Sequence, residues 1–363
     1  MVKATRPPAN GFVAMMRRLY NPLGFSKGYN FIFWFISMGY LFGFTLARLQ
    51  YLSFYGVFCS PTASGGTGAA PGECFYYLRN PFKIGMMLHL FCILPAAVLV
   101  VLQFIPAIRH KAILFHRLNG YAVITLSLIA NAGALIVLEH AFGGDFTTRV
   151  WGGTLVISTT VSYIMAYINI KLLQIDQHRA WMMRAWAYFS TIITIRLIMI
   201  ISVNIFSSMH TFFAVYPCEQ INFVMGEKGT LKFYPGCTPY YDGSVKDQRV
   251  IVTPNFNGAD PMEVAAALGV AFGTAGWLAF VIHAIIVELY LRLTPAESER
   301  LRQVSYERQL ARGFKRPGYA GLVAERFGDA NPFVLASTVE ERELSDDSGH
   351  FALPDPKTGV HAA

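Results

Sequence analysis

Six stretches of this chain carry apolar residues almost without a break, at about 29–54, 84–106, 117–139, 150–172, 183–207 and 263–291. At about 1.5 Å of rise per residue, each is long enough to cross a hydrocarbon layer of roughly 30 Å. Lipid offers no water to unpaired N–H and C=O groups, so a chain of such runs crosses it as helices. The pattern predicts an all-α integral membrane protein, a six-transmembrane-helix bundle. The polar remainder divides into an N-terminal arm (1–28), a Gly-, Pro- and Ser-rich loop at 55–82, a larger loop at 208–262, and a tail from 292 to 363. The membrane domain is then 29–291, with its core at 84–207. The larger loop carries strand-like patches such as Arg249–Thr253, which predict a small β-containing cap. In the tail, Thr294-Pro-Ala-Glu predicts a helix start with Thr294 as its cap, a charged helix to about Arg312, and a polar end without a packed core.

Composition and charge sharpen this picture. Of 363 residues, 54% are apolar and only 14% charged, against about 25% charged in soluble domains; too few polar side chains remain to cover a water-soluble surface. Lys3, Arg6, Arg17, Arg18 and Lys27 precede the first run with no small-residue cleavage site, so that run reads as a signal anchor. Basic residues favour the cytosolic side, which predicts both termini in the cytosol together with the loops holding Arg109, Lys111, Lys171 and Arg179. The net charge of +8 is then cytosolic anchoring at a lipid bilayer. With no basic stripe interleaved with exposed aromatics, no nucleic acid partner is expected. Cys59 and Cys74 fall in the first outer loop and Cys218 and Cys237 in the last, which suggests one disulfide in each, although four cysteines permit three connectivities. An oxidising outer face predicts a eukaryotic protein of an endomembrane or the plasma membrane.

Chemistry concentrates from Asp176 to Leu197. His178, several aromatics and three arginines surround the start and body of one hydrophobic helix. Arg196 lies deep in that run, where a guanidinium costs at least about 2.5–3.5 kcal/mol unless it faces a partner or a wet cavity. The interior must therefore be polar there. His89 and Asn131 are further polar residues inside spans. His116 opens the third span, with Asn119 and Gly120 on its face.

Three function classes follow. A b-type haem needs two imidazoles from neighbouring helices. His116 and His178 open the third and fifth spans at matching depth, and Arg117, Arg179 and Arg184 are suited to its propionates. This gives haem-b-linked electron transfer or oxidoreduction as the leading expectation, with a redox or pathway-enzyme partner. In a transporter, Arg196, Glu139, His89 and His283 would line a polar path. In an accessory membrane protein the same residues only fix helix register. No metal site is expected, since no His-x-x-x-His or Cys-x-x-Cys cluster occurs.

Several of these residues together resemble a family of predicted membrane proteins grouped as DUF2306. They are His89, the His116-Arg117 pair, and His178-Arg-Ala-Trp-Met-Met-Arg leading to Thr194-Ile-Arg196-Leu. The likeness covers about 84–207. It implies fold and topology, and the family's name assigns no chemistry. The chain is more loosely similar to six-helix di-haem cytochromes b, which place one histidine in each of four consecutive spans. Here the fourth span lacks one. The outer cysteine loops and tail resemble additions of a fungal branch, in which such proteins accompany secondary-metabolite enzymes; the resemblance thus implies an accessory role as the alternative.

Overall fold

A computed structural model describes residues 7–60, 68–331 and 333. The glycine-rich part of the first loop and the polar end of the tail lie outside the described residues. Among the described residues six helices have the length and composition to cross a membrane: Gly28–Leu52, Phe82–Gln103, Ile113–Val137, Phe146–Lys171, Ile175–Met209 and Pro261–Arg292. This is a multi-pass all-α membrane protein. Residues such as Ile32, Phe35, Ile36, Ile201, Ile205 and Ile285 are exposed on these helices. Such a surface is stable only against acyl chains, where exposing an apolar side chain carries no hydrophobic penalty.

Two expectations about helices are corrected. The fifth span begins at Ile175, not 183, because Asp176 in its first turn complements the helix dipole although it interrupts the apolar run. It is also not one helix. It divides at Ser190 into Ile175–Phe189 and Thr191–Met209, where the Ser190 hydroxyl donates back to the Trp186 carbonyl at 2.8 Å, a local bond that bends helices. The second span, by contrast, runs unbroken through Pro95.

The described residues form two compact units. The first holds the chain up to Tyr163 together with Arg184–Glu288. In it the second and third spans meet backbone to backbone. A Cβ on Gly133 would lie 2.5 Å from the Gly85 carbonyl oxygen and 2.7 Å from the His89 nitrogen. The sixth span receives the Trp151 side chain at Gly276, where a Cβ would come within 2.5 Å of the indole. Trp151, Ile195, Met199, Val203 and Phe272 form a buried cluster beside it. Both loops are closed as their cysteine placement suggested, by Cys59–Cys74 and Cys218–Cys237. The expected β element is a two-stranded antiparallel sheet, β1 (Ala214–Pro217) against β2 (Arg249–Val252), with Ala214 opposite Val252. Most of the remaining cap is helical, led by Cys218–Phe233.

The second unit holds Ile164–Met183 and the described residues from Leu289 onward. Its charged helix is Pro295–Ala311. Thr294 does not cap it; its hydroxyl donates back to the Tyr290 carbonyl at 2.9 Å. The helix is fastened by buried polar side chains. Ser305 donates to Asp176 at 3.2 Å and accepts from the Ile175 N–H at 2.8 Å. Gln309 donates to the Leu172 carbonyl at 3.0 Å and to the Gln174 side chain at 2.9 Å.

Candidate functional site

Arg196 lies in the first unit, and its immediate neighbours are two aromatic rings and a thioether that carry no sequence signal of their own. The Arg196 guanidinium lies over the rings of Phe142 at 5.1 Å and Phe272 at 5.9 Å. Its Nη1 reaches only the Met199 sulfur, at 3.9 Å, and its buried Nε has no hydrogen-bond partner. The carboxyl of Glu73, from the loop after the first span, is coupled to the Arg196 charge, which is the weakest of the influences that lower it. No direct ion pair joins the two among the described residues.

Glu73 is placed by its neighbours in sequence and by one distant turn. Cys74 ties it to Cys59. Its Oε2 accepts the Ala70 N–H at 2.8 Å, and its Oε1 accepts the Phe142 N–H at 2.9 Å and the Tyr77 hydroxyl at 3.1 Å. Burial pushes its carboxyl above the ordinary range, and the three hydrogen bonds and Arg196 oppose that rise. The Tyr77 phenol is pushed well up by its own burial and by the Glu73 charge. Phe142 sits in the left-handed region at φ 48°, a strain of about 1–3 kcal/mol for a bulky residue. It is held there by the bond to Glu73 and by stacking on Phe272 at 3.9 Å. Gly144 closes the same turn at φ 63°, and a Cβ there would lie 1.8 Å from the Glu139 carbonyl oxygen, so only glycine fits.

The other polar residues singled out from sequence fall as follows. His89 donates from Nδ1 to the Ala130 carbonyl at 3.0 Å, joining the second and third spans. Asn131 donates to Thr159 and Thr160, each at 3.0 Å, joining the third and fourth. His283 and Thr194 share a 2.7 Å hydrogen bond between the sixth and fifth. Arg184 binds Glu288 in a two-pronged pair at 2.6 and 3.1 Å. His116 is half-buried in the first turn of the third span, where its carbonyl accepts from Gln103 at 3.0 Å, and Arg117 is exposed. His116 belongs to the first unit and His178 to the second. His178 donates from Nδ1 to the Ala166 carbonyl at 2.9 Å, while Arg179 donates to Thr294 at 3.2 Å and lies over the Tyr290 ring. Glu139 is exposed just beyond the end of the third span. Among the described residues no cluster of His, Cys, Asp or Glu could hold a metal ion.

Sequence reading missed Glu73, Phe142 and Arg48, which shares a cleft with Arg196. One signal was available for the first. Glu73 is the sole acid between Ser53 and Pro81, next to a cysteine, while a buried Arg elsewhere lacked a partner.

This spread of interior contacts lies over the region in which the chain has a known likeness. Residues 86–218 match the family described as "Predicted membrane protein (DUF2306)". His89, His116, His178 and Arg196 all lie inside the match; Glu73 and Arg48 lie before it. Among curated proteins, "Ava biosynthesis cluster protein G" of Aspergillus versicolor is 23% identical over 339 residues, covering 78% of this chain and 94% of the relative. No solved structure matches the chain.

Proposed function

We propose that this chain is an accessory membrane protein of a fungal biosynthetic pathway, with both termini cytosolic and its disulfide-bonded loops on the opposite, oxidising face. One observation carries the reading. The interior polar groups of the first unit are used as fastenings between helices: His89 to Ala130, Asn131 to Thr159 and Thr160, His283 to Thr194, and Arg184 to Glu288. Groups spent in this way fix helix register inside the membrane, which is the structural use of intramembrane polar residues. The likeness to a protein named for a biosynthesis cluster of Aspergillus versicolor supports the same role.

A haem-linked redox role is the second reading, favoured by His178. Its Nδ1 bond to Ala166 is the kind of contact that orients ligating imidazoles. Two of the arginines assigned to haem propionates are engaged elsewhere, Arg184 by Glu288 and Arg179 by Thr294 and Tyr290. The donor set therefore fits haem less well than it fits a register-fixing interior.

Two measurements test the proposal. Deleting the gene in its own host should alter the profile of pathway products while the soluble enzymes of that pathway keep their activity in extracts. Protein purified in detergent after expression with ample haem should show a flat visible spectrum before and after dithionite. A sharp reduced α-band, lost in His116→Ala or His178→Ala, would overturn the accessory reading in favour of bis-histidine haem. An unchanged metabolite profile would remove the pathway role.

A further inference from the structure

Two guanidiniums of the first unit, Arg196 and Arg48, take no part in these fastenings and come together. Arg196 and Arg48 line one cleft of about 300 Å³ in the first unit, with Phe44, Met199 and Leu268 among its walls and the exposed Ile200 at its border. That volume is at the lower end of small-molecule sites. Arg48 lies over the rings of Phe44 and Tyr51, at 5.2 and 5.3 Å, and forms no ion pair among the described residues. Among the described residues Arg196 has a thioether and two aromatic faces but no oxygen, and its Nε is buried without a partner. A guanidinium presents five donors in a fixed fork suited to carboxylate or phosphate. The two cations line the same cleft, and among the described residues the carboxylate coupled to Arg196, Glu73, already accepts three hydrogen bonds. Among the described residues no acid lines the cleft. One positive charge beside it is therefore uncompensated, a costly arrangement in an apolar setting unless an anion completes it.

We infer that this cleft is a binding site for a single-chain anionic amphiphile, a carboxylate head on an apolar body. The head would take the free donors of Arg48 and Arg196, and the body would lie along Phe44, Met199 and Ile200. The walls argue for this class. They are almost wholly apolar, which a free inorganic anion would not need. The border residue Ile200 is exposed on a membrane-spanning helix, so the cleft can be entered from the acyl-chain layer. The site stands whichever cellular role the protein has, and its test does not depend on metabolite profiles or on haem.

The test uses the full chain in phosphatidylcholine nanodiscs and a fatty acid that carries a photoactivatable diazirine. Labelled peptides are mapped by mass spectrometry. Labelling should concentrate on the segments holding Phe44 and Arg48 and Met199 to Val203, and oleate should compete for it at least tenfold better than methyl oleate. Arg196→Gln and the less buried Arg48→Gln should each lower labelling there at least tenfold, with Arg48→Gln deciding the matter if Arg196→Gln does not fold. Equal competition by the ester would overturn the inference, since the cleft would then be merely apolar. So would labelling spread evenly over the spans, or labelling undiminished in Arg48→Gln. Competition by phosphatidic acid stronger than by oleate would assign the site to a phospholipid head and overturn the single-chain occupant.

Discussion

The coupling of Glu73 to Arg196 yields the sharpest prediction. Replacing Glu73 by Ala removes the acceptor of three donors, the Ala70 and Phe142 N–H groups and the Tyr77 hydroxyl, in a residue that is 7% exposed. Each buried donor left unpaired costs about 1–3 kcal/mol, and partial relaxation of the loop offsets some of the three losses, so Glu73→Ala should destabilise by about 3–5 kcal/mol. Glu73→Gln keeps the shape and one acceptor oxygen but not the charge, and should cost about 1–3 kcal/mol. With Arg196→Met the carboxylate loses its counter-charge instead. The double variant Glu73→Gln/Arg196→Met should then be more stable than the sum of the single losses, by a coupling of about 0.5–3 kcal/mol. Reversible unfolding in mixed micelles, followed by tryptophan fluorescence from buried Trp151 and Trp186, gives all four corners of the cycle. A coupling within about 0.3–0.5 kcal/mol of zero, or a Glu73→Ala loss equally small, would refute the claim that this loop carboxylate balances the intramembrane arginine.

Gly133→Val should force the second and third spans apart, because its Cβ would sit 2.5 Å from the Gly85 carbonyl oxygen. A loss of at least about 1–3 kcal/mol is expected, read by the same unfolding assay, whereas Gly39→Val on an open face should be near neutral. The Cys218–Cys237 bridge closes a loop with a separation of 19 residues, so Cys218→Ser/Cys237→Ser should cost about 2–4 kcal/mol, seen as a lower protease threshold for the 208–262 cap. His140 stacks on Tyr76 with ring centroids 3.6 Å apart, and burial holds its imidazole below the ordinary 6.5. The unfolded state then binds the proton first, so this contribution is present above pH 6.5 and is lost as pH falls through and below it; His140→Phe should keep the stack and flatten that part of a Tm-against-pH curve. Glu73 has the opposite sign. Its raised carboxyl favours the folded state at low pH, and that advantage is lost as pH rises above 4.5. Glu73→Gln should therefore remove a downward slope of stability with pH in that window.

The sequence by itself determined the spans, because the need to satisfy backbone groups in hydrocarbon is local and is met by length and apolarity alone. It also indicated the disulfide pairs, since each pair of cysteines shares one loop, and it showed that Arg196 must have company, since a lone guanidinium in lipid is too costly. It misjudged the fifth span at both its start and its middle. Asp176 lowers the hydropathy of residues that are nevertheless helical, and the break at Ser190 depends on a hydroxyl that could equally have faced away. Only the tertiary structure decided which residues answer Arg196. Glu73 and Phe142 come from two loops far away in the chain, and no periodicity or propensity records the closing of such loops onto a helix. The same holds for the cleft. Arg48 and Arg196 are 148 positions apart, each readable alone as an interfacial anchor or a structural charge. Their shared lack of an oxygen partner among the described residues is visible only once both are seen to line one cleft of the first unit.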